Sequence, residues 1–237
     1  MMVLLAKLFI AHLVGDFILF RNKRLKEKGK PLWKSRRLLA HSVVHFLFAW
    51  IALGYINWWA FAIAIGFSHY AGDLIIRNWL SRRPQWAFVI DQLFHGFVIF
   101  VIAAYASGED PWLQTWLTPP HLTWITLAGL VAVTFPAAKF IEVFLSQWPP
   151  AKSADKVKGL ANAGLWIGIL ERVLIYILIT TGHWEGIGFL LAAKSVFRFG
   201  DLSNSKDISL TEYIMVGTFL SFLIAIVTGL FTNHLSV

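Results

Sequence analysis

The sequence predicts an all-α, polytopic membrane protein of about eight transmembrane helices. Three observations predict it. The 237-residue chain is 57% hydrophobic and only 14% charged, where a soluble domain carries about 25% charged residues. Its mean hydropathy is +0.64. Its apolar residues fall into repeated blocks long enough to cross a bilayer as helices.

The blocks run in order over roughly 2–20, 38–56, 58–79, 86–106, 122–147, 160–181, 186–199 and 210–232. The first could pass for a signal peptide. It is read as a retained span, because His12 and Asp16 interrupt its apolar core and no small-residue cleavage site follows. The seventh is short for a span, which suggests a tilted, buried or re-entrant helix. No sequence repeat is evident. The expected organisation is one membrane domain over 1–237, with a His/Asp half over 1–106 and a Lys/Arg/Glu half over 122–237.

Loop charge supplies the expected topology. Residues 21–37 hold nine Lys and Arg against Glu27 alone. Arg77, Arg82 and Arg83, then Lys152, Lys156 and Lys158, then Arg198 and Lys206 mark every second connection. The intervening connections, around Asn57, over 107–121 and around His183, have no Lys or Arg. The positive-inside rule puts the basic connections in the cytoplasm, so eight spans leave both termini outside a bacterial inner membrane. The net charge of +8 is thereby explained without nucleic acid, and the basic loops can attract anionic lipid. Trp33, Trp58, Trp59, Trp112, Trp116, Trp148 and Trp184 sit at predicted boundaries, as an aromatic belt would.

Chemistry is concentrated in the first four spans. His12-x3-Asp16, His41-x3-His45, His69-x3-Asp73 and Asp91-x3-His95 each have i, i+4 spacing, which puts both side chains on one helix face. Alternating span direction sorts them by depth. His12, His45, His69 and His95 form a deeper layer. Asp16, His41, Asp73 and Asp91 form a shallower one, about 6 Å nearer the cytoplasm at 1.5 Å rise per residue. Ionisable groups are expensive in lipid and usually mark function. Interhelical hydrogen bonding alone would explain one such pair; four pairs in two shared layers point to a metal centre. With no cysteine in the chain, the ligands must be imidazole and carboxylate, a set that suits zinc, with manganese or iron as alternatives, as one or two ions. The expected inner ligands are His45, His69, Asp73, Asp91 and His95. Asp16 or His41 is the expected general base, or holds a ligand from behind. His121, His183 and His234 read as surface residues. Gly15, Gly66 and Gly72, beside ligand candidates, read as close-approach positions.

The second half carries Lys139, Glu142, Glu171, Arg172, Lys194, Arg198, Asp201 and Glu212 in or near apolar segments. Charges at this depth are expected to pair. Arg172, Lys194 and Arg198 could alternatively clamp an anionic headgroup, Lys194 and Arg198 neutralising charge on a reacting phosphate.

The phrases Ala11-His-Leu-Val-Gly-Asp-Phe17, His69-x3-Asp73 and Asp91-Gln-x2-His95 resemble a bacterial membrane family catalogued as domain of unknown function 3307. So do Leu170-Glu-Arg172, Ala193-Lys-Ser195 with Arg198-Phe199, Glu212-Tyr213 and Gly217-Thr-Phe-Leu-Ser221, so the resemblance runs over essentially the whole chain. It implies a membrane fold and no particular activity. In motif style the His/Asp helices also resemble membrane-bound metal-dependent hydrolases and, more distantly, zinc-dependent phospholipase C.

The leading expectation is a metal-dependent membrane hydrolase of a phosphorylated amphiphile, a phospholipid or polyprenyl phosphate, at the cytoplasmic side. A divalent-metal or proton-coupled transporter is the alternative, weakened by the lack of an apparent inverted repeat or of a paired broken helix. A di-iron oxidase fits His41-x3-His45 but lacks adjacent His-His pairs. A scaffold around a structural metal, or one with a partner protein or as an oligomer, stays open. No Walker A, GxSxG or dinucleotide fingerprint is present.

Overall fold

The computed structural model describes residues 1–20, 31–54, 58–109, 121–148, 162–204 and 208–236, with no strand among them. Nine α-helices are described: α1 (Met2–Leu13), α2 (Arg36–Leu53), α3 (Trp59–Trp79), α4 (Pro84–Glu109), α5 (His121–Ala132), α6 (Phe135–Leu145), α7 (Ala163–Thr180), α8 (Glu185–Asn204) and α9 (Ile208–Ser236). Seven segments are long and apolar enough to cross a membrane: Met2–Leu19, Arg36–Leu53, Trp59–Trp79, Pro84–Ser107, Trp124–Leu145, Ala163–Thr180 and Thr211–Leu235. The expected seventh span corresponds to α8. It is helical over 20 residues, but it is not among these seven, because Glu185, Lys194, Arg198 and Asp201 dilute its apolar length.

The chain divides into two compact units, Met1–Val131 and Ala132–Val237. The helix expected to open the second half, α5, therefore groups with the first unit. There α1 to α4 close a ring, each packing on the next and α1 returning to α4. Val3, Leu4 and Leu8 of α1, Ala49 and Leu53 of α2, Ala62 and Ile65 of α3 and Ile99, Ile102, Ala103 and Ala106 of α4 form its apolar core. Trp58 is buried in this core, a correction to its expected place in an aromatic belt. Trp33, Trp59, Trp148 and Trp184 are exposed; Trp112 and Trp116 lie outside the described residues.

Local signals set the ends of these helices. Gly54 stops α2 in the left-handed conformation, φ 70°, where glycine has no Cβ penalty. Pro84 opens α4, its missing N–H being one that a first turn leaves unpaired anyway. The first span departs from a plain α-helix: after Leu13 it continues as a π-helix over Val14–Leu19. Such turns are rare and favour functional sites. Three glycines set how closely the ring closes. A Cβ on Gly66 would come within 2.8 Å of Phe46 Cβ, on Gly72 within 2.7 Å of Phe94 Cε1, and on Gly15 within 2.6 Å of His45 Cε1.

The second unit is built on α7 and α9, joined by Tyr176 Oη donating to Thr232 Oγ1 at 3.1 Å and Asn233 Nδ2 donating to the Ile179 carbonyl at 3.0 Å. Gly229 lets α9 approach, since a Cβ there would meet Ile179 Cγ2 at 2.8 Å. The span expected as continuous over 122–147 is broken between α5 and α6. Pro136 lies in the first turn of α6 behind Thr134, and a proline there cannot donate to, and clashes with, the carbonyl of a continuing helix. The carbonyls at the break find Arg172. Its Nε donates to Val133 O at 2.6 Å, Nη2 to Thr134 O at 3.1 Å and Nη1 to Ser221 Oγ at 3.0 Å. Arg172 is 3% exposed. A guanidinium suits this place, because helix C-terminal carbonyls carry partial negative charge.

Replacing Arg172 should therefore unfold the break rather than trim the surface. Arg172→Met is expected to destabilise by roughly 2–4 kcal/mol, from hydrogen bonds to a charged group and the carbonyls left unpaired. Lys139→Met, which breaks the exposed Lys139–Glu142 pair at 2.8 Å, should cost under about 1 kcal/mol. Thermal unfolding of the two variants in the same detergent measures the contrast.

Candidate metal centre

Each helix of the ring delivers two side chains to one place. His12 comes from the last turn of α1 and Asp16 from the π-helical turn after it. His41 and His45 come from α2, His69 and Asp73 from α3, and Asp91 and His95 from α4. Seven of the eight are at most 4% exposed; the Asp16 side chain is 11% exposed. They lie beyond the apolar core toward the ends of the helices that carry the basic connections. A small cluster of Leu32 and Leu38 with Phe20, Tyr70 and Leu74 lies on the basic-connection side of them, opposite the apolar core.

The imidazoles form the more compact part. His69 stacks between His45 and His95, with ring centroids 3.7 and 3.9 Å apart. His12 stands 5.2 Å from His69, 5.5 Å from His45 and 5.6 Å from His95. Asp16 reaches into this group through Oδ1, 2.9 Å from His45 Nε2 and 3.3 Å from His41 Nε2. His41 Nε2 is also 3.3 Å from Asp73 Oδ2. One ligand atom each of His12, Asp16, His45 and His69 lies within 4.8 Å of all the others. Of the expected inner ligands, His45 and His69 belong to this tetrad. Asp73 and Asp91 are drawn instead toward Arg77, whose Nε is hydrogen-bonded to Asp73 and whose Nη2 is 3.7 Å from Asp91 Oδ2.

Two observations indicate that these residues fit a metal ion. The first is a tautomer conflict. Gln92 Nε2 donates to Asp16 Oδ2 at 2.9 Å. A carboxylate only accepts, so this bond fixes the amide orientation and leaves Gln92 Oε1 facing His12 Nε2 at 3.1 Å. A neutral His12 then carries its proton on Nε2, with a lone pair on Nδ1. His69 Nδ1 donates to the Ile65 carbonyl at 2.9 Å, leaving a lone pair on its Nε2. These two lone-pair nitrogens, His12 Nδ1 and His69 Nε2, face each other at 3.0 Å. Neutral rings repel there; a shared cation removes the conflict. Nitrogen ligands about 2.0–2.1 Å from a tetrahedral zinc lie about 3.4 Å from one another, so little movement is needed.

The second observation is unsatisfied polarity. Among the described residues, the buried side-chain atoms with no hydrogen-bond partner are Asp16 Oδ1, His41 Nδ1, His45 Nε2, Asp73 Oδ2, Asp91 Oδ1 and both ring nitrogens of His95. Every one belongs to this cluster. Several lie near a neighbouring charge, as His45 Nε2 does 2.9 Å from Asp16 Oδ1, without making a hydrogen bond. Each such atom costs roughly 1–3 kcal/mol when left unmade, and ligation by a cation is the usual way such groups are satisfied. With Asp16, Asp73 and Asp91 ionised and the imidazoles neutral, three negative charges face the one positive charge of Arg77, and a single divalent ion would complete neutrality.

Two members of this centre were not singled out from the sequence. Gln92 follows Asp91 directly, and adjacent helical residues do not share a face; its long side chain reaches back to bridge His12 and Asp16. Arg77, read only as a topology marker, lies four residues after Asp73, and that spacing was the available signal. The remaining expected residues lie elsewhere. Lys194 is hydrogen-bonded to Glu171 and Arg172 to the helix break, both within the second unit. The Arg198 side chain lies outside the described residues, as does that of His121. His183 and His234 are exposed.

Gln92→Leu should release the His12 tautomer, and Gly15→Ala should push the His45 ring aside. Each is expected to weaken zinc binding by about 10–100-fold, the usual effect of losing a group that orients a ligand, while the helical circular dichroism spectrum is unchanged. Competition with a fluorescent chelator measures it.

Searches of curated proteins and of solved structures find no match to this chain. A family match covers residues 4–123, taking in the eight His and Asp residues, Arg77 and Gln92. The motifs at 170–172, 193–199 and 212–221 lie beyond it, so the match is narrower than the resemblance read over the whole sequence, and it includes no hydrolase. By the match over its first half, the chain belongs to the family described as Protein of unknown function (DUF3307).

Proposed function

We propose that the protein is a metal-dependent integral membrane hydrolase of a phosphorylated amphiphile, a phospholipid or polyprenyl phosphate, with one divalent ion held by His12, Asp16, His45 and His69. Zinc suits this three-imidazole, one-carboxylate set, and manganese or iron could replace it. The observation that carries the reading is the 3.0 Å approach of His12 Nδ1 to His69 Nε2, which in neutral rings held by Gln92 and the Ile65 carbonyl sets two lone pairs face to face. A bound ion would supply a nucleophilic water near neutral pH and Lewis-acid polarisation of the phosphoryl group.

The chain's own residues take the other roles. His41 is the general base: Nε2 lies between Asp16 and Asp73, and the buried Nδ1 has no partner. A carboxylate-backed imidazole with its other nitrogen open is suited to take a proton from water. As water adds to phosphorus, the bond to the leaving oxygen breaks and the proton passes to His41 Nδ1. Arg77 is half-exposed, its side chain at 47%, and is a cation at the edge of this centre that can meet an anionic headgroup. It takes the charge-neutralising role expected of Lys194 and Arg198.

The broken span between α5 and α6 favours the second reading, a divalent-metal or proton-coupled transporter, since such proteins use discontinuous helices. We favour the hydrolase because the polar cluster lies toward one end of the ring instead of at mid-span. In either reading the chain crosses a bacterial inner membrane eight times, α8 included, with both termini outside.

Elemental analysis of detergent-purified protein should find one equivalent of zinc, manganese or iron, absent from a folded His12→Ala, His69→Ala double variant. No metal in the wild type after reconstitution would sink the proposal and leave an imidazolium-bridged helix interface. With metal present, phosphate release from dispersed lipid that is lost in His41→Ala supports the hydrolase, whereas metal flux into sealed proteoliposomes supports the transporter.

Topology has its own test, since the chain lacks cysteine. In intact cells an impermeant maleimide should label Thr118→Cys and not Lys28→Cys; the reverse pattern would invert the orientation.

A further inference from the structure

The second unit contains a cavity of about 670 Å³ among α6, α7, α8 and α9. Its walls are mostly apolar, with Ile141, Leu145, Leu190 and Ile214 among them, but three charged side chains also line it: Glu171, Arg172 and Lys194. Lys194 is hydrogen-bonded to Glu171, and its Nζ stands 5.3 Å above the Phe222 ring. Arg172 is held by Val133 O, Thr134 O and Ser221 Oγ. These three partners are neutral. Among the described lining residues, two cations therefore face one carboxylate, an excess of one positive charge. In a wall this apolar such an excess is costly unless an anion joins it. The cavity is not sealed, because Ile167 on its rim is 54% exposed. Its volume lies within the range of small-molecule sites, about 300–1,000 Å³.

We propose that this cavity binds an amphiphile with a single negative charge, its head against Lys194 and its apolar part along the α6 and α9 walls. Arg172 is fixed by the helix break and contributes its charge from a set position. Lys194 uses one of its three donors on Glu171 and has others to offer the ligand. Both a lipid phosphodiester and a fatty-acid carboxylate have the required chemistry. The site does not depend on the metal centre.

Two substitutions that break the same ion pair separate charge from architecture. Lys194→Gln removes the positive excess; Glu171→Gln doubles it. Delipidated full-length protein in an uncharged detergent is titrated with phosphatidylglycerol, oleate or zwitterionic phosphatidylcholine, and bound copies are counted by native mass spectrometry. One copy of phosphatidylglycerol or oleate should bind saturably, and phosphatidylcholine should not; the better of the two identifies the head. Lys194→Gln should weaken that binding by about tenfold or more, and Glu171→Gln should strengthen it, as expected for hydrogen bonds to a charged group. Equal weakening by both, or no preference for an anionic head in the wild type, overturns the proposal. If a single variant fails to fold, the Lys194→Gln, Glu171→Gln double variant decides. It keeps the Arg172 charge, so it should still prefer an anionic head over phosphatidylcholine; loss of that preference overturns the proposal.

Discussion

Eight ionisable side chains buried inside an apolar ring of four helices are the constraint on which the first unit depends. Water cannot solvate them there, so each must find a partner within the ring. Arg77 answers for Asp73 and Asp91, and Gln92 links His12 to Asp16. What is left is a set of lone pairs aimed at a common point. A purely hydrogen-bonded interface would match donors to acceptors. Here the donors run short, which favours the proposed ligand shell over polar glue between helices.

The ring's geometry serves this convergence. Close packing at Gly15, Gly66 and Gly72 draws the helices to where imidazoles of three of them stack. The π-helical turn after Leu13 carries Asp16, a carboxylate that belongs to the tetrad although it lies a turn nearer the basic end than its three imidazoles. The apolar core built from Leu4, Leu53, Ile65 and Ile102 holds the rest of each helix rigid, so the ligand positions are set by regular secondary structure. Sites carried on helices are more precisely placed than sites on loops.

The second unit handles its charges differently. Arg172 is consumed by the fold, closing a helix break that Pro136 imposes. Glu171 and Lys194 pair, and the Arg172 charge, held only by neutral groups, is left as the excess in the cavity they line. The two units thus show both fates of a buried charge: pairing into structure, and pairing that remains incomplete and so leaves room for a ligand.

Much of this was legible in sequence. Apolar length determines a helix that can cross a membrane, because the backbone must satisfy itself in lipid, and seven of the eight expected segments have that length and polarity. The i, i+4 spacing determines that each pair shares a face, and alternating helix direction determines which members lie at similar depth. Those are properties of one helix at a time. Which atoms actually meet depends on how helices rotate and approach, and only the tertiary structure decided that. It joined Asp16 to His12, His45 and His69, brought Gln92 and Arg77 into the centre, and gave Asp73 and Asp91 to the guanidinium. It also broke the fifth span at Thr134, where a single proline outweighed an apolar run that by composition alone reads as continuous. Depth along a helix is written in residue number; the choice of partner is a matter of distances between helices, which no single segment contains.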